Sequence, residues 1–141
     1  MILYVDTSAL VKLYVEETGT LGVATRVEQA DAVATSLITY AEARGALARH
    51  QREGGITGAE LRRAVRQLDR EWRTYNVVNL SDALVHSVGA LAERHALRGF
   101  DAVQLAAALE LRAVGGQVEF CAFDVRLNRA ARRERLVVSG M

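Results

Sequence analysis

The chain has no proline, a single cysteine and no long apolar run. Each scarcity excludes something. Without proline there is no proline-rich linker, and no repeat or low-complexity segment divides the 141 residues. Cys121 alone cannot form an internal disulfide, which fits a reducing cytoplasm. No apolar stretch approaches the roughly 20 residues of a membrane helix. The first apolar run has no basic residue before it and is cut at Asp6, so it does not read as a signal peptide. The expectation is a cytoplasmic protein with no membrane partner.

Half of the residues are apolar and a quarter are charged, the composition of one folded domain spanning residues 1–141. The net charge of +1 argues neither for nor against nucleic acid. Charge placement says more. Arg126, Arg129, Arg132, Arg133 and Arg135 crowd the C-terminal end, and Arg62, Arg63, Arg66, Arg70 and Arg73 share one segment.

Ile2 to Val5 is apolar without alternation, as in a strand buried on both faces. Ala9, Leu10, Leu13 and Tyr14 then fall at helical spacing. Further helices are expected over Thr20–Ala30, Leu37–Arg52 behind the N-cap Ser36, Thr57–Trp72, Ser81–His95, Asp101–Val114 and Val125–Glu134. Strands are expected over Ala32–Thr35, Asn76–Leu80, Val118–Phe123 and Leu136–Val138, with Gly54-Gly55 and Gly99 as breaks. Strands separated by helices imply a parallel sheet covered on both faces.

In such a sheet all strands end on one edge, where open α/β folds bind ligands. Asp6 ends the first strand and Asp124 the fourth. The helix opening at Asp101 feeds the fourth strand, so its start lies at the same edge. Glu42 falls in the second turn of the helix leaving the second strand. Each acid also has a plain structural role open to it. Asp101-x-x-Gln104 and Thr39-x-x-Glu42 read as capping boxes, and Asp6 and Asp124 as single caps. Four carboxylates on one rim repel unless a cation neutralises them, and an all-oxygen set suits Mg²⁺ or Mn²⁺ rather than zinc. A hard divalent ion commonly meets a substrate phosphate. An acidic pocket alone repels nucleic acid, so Arg126 and Arg129 after Asp124 are candidate nucleic-acid contacts.

The ordered set Val5-Asp6-Thr7-Ser8-Ala9-Leu10, Tyr40-Ala41-Glu42, Leu97-Arg98-Gly99-Phe100-Asp101-Ala102-Val103-Gln104-Leu105-Ala106 and Phe123-Asp124-Val125-Arg126-Leu127 resembles PIN-domain nucleases, most of all the VapC-type toxins of toxin–antitoxin pairs. The resemblance spans nearly the whole chain. It implies a single-domain α/β/α sandwich around a parallel sheet and a Mg²⁺- or Mn²⁺-dependent endoribonuclease activity. It also implies that Asp6, Glu42 and Asp101 are the core metal-site acids, that Asp124 is a more variable fourth, and that Ser8 orients Asp6 or a water. A homodimer and a small inhibitory antitoxin protein belong to the same implication. One position departs from the pattern: Ala122 stands where many members carry Thr or Ser.

Competing readings are weaker. His50, His86 and His95 lie on separate segments without metal spacing, so no histidine is expected near the acids. Ser8 has no His–Asp relay and is not expected to be a nucleophile. A haloacid-dehalogenase-type phosphatase needs a second Asp two residues after Asp6, where Ser8 stands. The alternative from another class is a catalytically idle PIN-like module that binds RNA or protein.

Overall fold

The computed structural model describes residues 1–140. Strand β1 (Ile2–Val5) is the centre of a five-stranded, all-parallel sheet with β2 (Ala32–Ser36), β3 (Asn76–Val78), β4 (Val118–Ala122) and β5 (Val137–Gly140). The spatial order is β3-β2-β1-β4-β5. Leu3, Tyr4 and Val5 are all fully buried, which is why the first strand shows no alternation.

Successive side chains of β1 face opposite layers. Leu3 and Val5 pack with Cys121 against α1 (Thr7–Val11), α2 (Thr20–Gln29), α3 (Leu37–Arg52) and α4 (Gly58–Trp72) through Leu10, Val23, Leu47 and Leu68. Tyr4 and Phe120 stack with ring centroids 5.5 Å apart. They face α5 (Asp82–His95), α6 (Gly99–Ala113) and α7 (Val125–Arg133) through Leu91, Leu105 and Leu127. The layered α/β/α architecture therefore follows from alternation within one short strand.

The chain moves outward from β1 through β2 to β3, then returns to the other side of β1 for β4 and β5. Right-handed crossovers put the helices of the two directions on opposite faces. The reversal falls between β1 and β4, and their C-terminal ends, at Asp6 and Asp124, flank the crevice there.

Several expectations need correction. Gly99 does not break the chain; it begins α6. The break is made earlier, where Ala96 ends α5 with a left-handed backbone, φ 54°. Asp101 is consequently not the head of a capping box. Arg98 occupies the N-cap without a side-chain bond, and Asp101 lies in the first turn. Likewise Ser36, not Thr39, caps α3 by accepting from Ile38 N, so Glu42 is released from any capping duty. Strand β3 ends at Val78 rather than Leu80, and β5 is displaced to Val137–Gly140.

Candidate active site

All four acids singled out from the sequence line one cavity of about 400 Å³ at the carboxyl edge of the sheet. Asp6 is the deepest, only 5% exposed. It closes β1 and caps α1, its Oδ1 accepting from Ala9 N at 2.9 Å and from Ser8 Oγ at 2.7 Å. Ser8 Oγ in turn accepts from Phe123 N at 3.0 Å, which ties the end of β4 to Asp6. The capping role and the site role coexist, because both bonds go to one oxygen. Oδ2 receives no hydrogen bond from the described residues.

Glu42 is held differently. Its Oε1 accepts from Thr7 Oγ1 at 2.7 Å and from Gln104 Nε2 at 3.0 Å. Gln104 is fixed in turn: its Oε1 accepts from Tyr4 OH at 2.6 Å, and its Nε2 also donates to Thr39 Oγ1 at 3.0 Å. A buried polar chain thus runs from the central strand through α6 to Glu42. The sequence reading missed Tyr4, Thr39 and Gln104 as support. The available signal was Gln104 itself, a polar residue on the buried face of a strongly apolar helix.

Asp101 stands in the first turn of α6. Asp124 is the N-cap of α7, its Oδ1 accepting from Leu127 N at 2.7 Å. Burial raises the pKa of Asp6 to about 7 against the pull of Ser8 and Ala9, with Asp101 and Glu42 adding repulsion. Burial also raises Asp101, assisted by the charges of Asp124 and Glu42. Burial and mutual repulsion therefore leave the ionised acids at an electrostatic deficit.

That electrostatic deficit and the all-oxygen donor set fit a hard divalent cation. The geometry does not form a closed cage: among the described residues, no three His, Cys, Asp or Glu side chains stand close enough to enclose an ion. Thr7 and Gln104 hold Glu42, and α7 holds one oxygen of Asp124. Asp6, Glu42, Asp101 and Asp124 would hold such an ion as an open set, the habit of hard, hydrated cations.

A second cavity of about 620 Å³ adjoins the first, sharing Asp101 and Asp124 and lined by Arg98, Arg126 and Arg129. Arg126 and Arg129 lie where the sequence put them, and Arg98 joins them from the start of α6. The expectation of no histidine near the acids is wrong. His50, about two turns after Glu42 on α3, lines the acidic cavity. It faces Glu17, with Nε2 3.8 Å from Oε2.

The PIN domain profile matches residues 3–133. The chain belongs to the PIN-domain family. Ribonuclease VapC45 of Mycobacterium tuberculosis is 38% identical over 130 residues, covering 92% of this chain and 89% of that protein. The crystal structure of PAE2754 from Pyrobaculum aerophilum superposes with a TM-score of 0.70 at 19% identity, over 98% of this chain and 92% of the other. A toxin–antitoxin complex from Klebsiella pneumoniae contains a chain matching with a TM-score of 0.60 at 23% identity, over 88% and 87%. These structures share the PIN fold described above. Among the described residues no helix is long and apolar enough to cross a membrane.

Proposed function

We propose that this PIN-domain protein is a Mg²⁺- or Mn²⁺-dependent endoribonuclease, the toxin of a VapBC-type pair, working as a cytoplasmic homodimer and restrained by a small antitoxin. The observation that carries the reading is the junction of a cavity holding four converging carboxylates with an arginine-lined groove at the carboxyl edge. The VapC ribonuclease relative and the toxin–antitoxin neighbour supply the context.

A divalent cation held by Asp6, Glu42, Asp101 and Asp124 would supply Lewis-acid activation of water and offset negative charge on the phosphodiester. The protein's own part is positioning. Ser8 and the Ala9 amide fix one oxygen of Asp6 and leave the other available. Thr7 and Gln104 fix Glu42. Asp101 and Asp124 complete the acidic wall. Arg98, Arg126 and Arg129 hold the RNA backbone, offsetting the repulsion between RNA and the acids.

The test is cleavage of RNA by the purified chain, free of antitoxin, with and without divalent metal. Cleavage that needs Mg²⁺ or Mn²⁺ and stops with chelator is expected. Binding of RNA without cleavage in either metal supports the idle module instead, and cleavage persisting in chelator refutes the metal-dependent mechanism. An adjacent reading frame encoding a short protein with a DNA-binding N-terminus is the expected genetic companion of a toxin.

A further inference from the structure

The chain carries seventeen arginines and one lysine. That lysine, Lys12, lines the acidic cavity together with all four carboxylates. It sits at the C-cap of α1, one helical turn after Ser8, on the face that carries the hydroxyl holding Asp6.

Its ammonium is fixed from two sides. Nζ lies 3.0 Å from Glu17 Oε1 and 4.5 Å from the centroid of the Phe123 ring, and the side chain is only 13% exposed. Gly19 closes the corner behind it. Its backbone is left-handed (φ 97°), and a Cβ there would stand 2.9 Å from the Phe123 ring and 3.2 Å from Lys12 Cδ. Phe123 is held by Ser8, so the corner is built onto the same scaffold as Asp6. A surface ion pair requires none of this support.

Arginine serves as every other side-chain cation that is always charged at neutral pH, and a guanidinium is a wide planar fork. An ammonium is compact and offers three rotatable donors, of which Glu17 engages one. We infer that Lys12 is a phosphate-binding residue of the site, donating from Nζ to a non-bridging oxygen of the phosphodiester drawn into the acidic cavity. The inference rests on the phosphodiester-cleaving reading of this site. A positive charge fixed in advance beside the cavity stabilises the negative charge that grows on phosphorus oxygens in the transition state, at no cost in reorganisation.

A single lysine makes the test clean. In protein labelled with ¹³C-lysine there is one lysine spin system, and inorganic phosphate added in the presence of Mg²⁺ is expected to shift its Cε resonance. A Cε signal unmoved by phosphate overturns the inference. Kinetics separates substrate binding from a structural ion pair. Lys12→Met is expected to lose about 10²-fold in RNA cleavage, while retaining the melting temperature and its response to Mn²⁺. Glu17→Gln keeps the ammonium and is expected to lose less than about 10-fold. Equal losses in the two variants, or wild-type cleavage by Lys12→Met, refute the assignment and leave the ribonuclease reading standing. Should the wild type cleave no RNA, that reading fails, and the phosphate-induced shift alone decides the role of Lys12.

Discussion

The two cavities at the carboxyl edge are built in opposite ways. In the acidic one the inner acids are fixed by the core: Asp6 by Ser8 and a backbone amide, Glu42 by Thr7 and Gln104, Gln104 by Tyr4 and Thr39. The basic one is made of side chains with almost no protein partners. Arg98 and Arg129 form no side-chain hydrogen bond or ion pair with the described residues, and Arg126 reaches only Ala96 O at 3.5 Å. Chemistry on a phosphodiester needs groups held to a fraction of an ångström, whereas gripping a flexible polyanion needs only charge that can follow it. The difference matches the two roles proposed for these cavities. It also says where mutation should damage stability together with activity, and where activity alone.

The largest effect belongs to the deepest acid. Asp6→Asn keeps the cap on Ala9 N, because an amide oxygen caps as well as a carboxylate. The fold is expected to persist while cleavage falls by about 10³-fold or more. Asp101→Asn is expected to do the same, and Asp124→Asn, at the rim and tied to Leu127 N, to lose less. Measured cleavage rates and melting temperatures check the ranking. If Asp124→Asn proves more damaging than Asp6→Asn, the contrast between deep and peripheral acids is wrong.

A pH effect of similar size follows from the burial of Asp6. In the metal-free protein its carboxyl stays protonated up to about pH 7, whereas the unfolded chain releases that proton near the ordinary value of 3.8. Between these limits the folded state binds more protons than the unfolded state, so stability falls as pH rises and the loss is complete above about 7. The window corresponds to at most about 4 kcal/mol. Metal-free protein should melt higher at pH 5 than at pH 8, Mn²⁺ should remove much of the difference, and Asp6→Asn should flatten the slope. A metal-free slope unchanged by Asp6→Asn would contradict the assignment to this carboxyl.

Gln104 tests the rigidity of the acidic side. Gln104→Leu leaves Tyr4 OH and Thr39 short of a partner in a buried setting and frees Glu42 to move. A loss of about 1–3 kcal/mol in stability is expected, with a fall of about 10- to 100-fold in cleavage that added metal only partly restores. Denaturant midpoints and rates at saturating Mn²⁺ separate the two.

Much of this was legible in the sequence for a physical reason. Asp6, Glu42, Asp101 and Asp124 were found because parallel topology sends strand ends and helix starts to one edge, and topology shows in the alternation of apolar strands and helices. The supports were not legible. Tyr4 reads as core, and its hydroxyl meets Gln104 only because two residues 100 positions apart lie on facing layers. His50 and Lys12 reach the cavity through the angles of α3 and α1, which spacing does not fix. The same limit produced the false capping box at Asp101. Gly99 looked like a stop, while the stop was an alanine in a left-handed conformation that no propensity foretells.

The smallest effect is expected on the basic side, and it is the sharpest test of the contrast. Arg129 touches no protein acceptor among the described residues, so Arg129→Ala should leave the melting temperature unchanged. Its charge faces the groove shared with Asp101 and Asp124, and removing one phosphate contact should lower the slope of log affinity against log salt by about 1. Cleavage at low salt should fall only a few-fold, and the deficit should narrow as salt rises, since screening removes from the wild type what the substitution has already removed. Arg98→Ala, at the N-cap of α6, should behave alike. A double variant whose losses simply add identifies two independent, mobile grips, whereas strong coupling would mean the arginines form a rigid site after all and the two cavities are built alike.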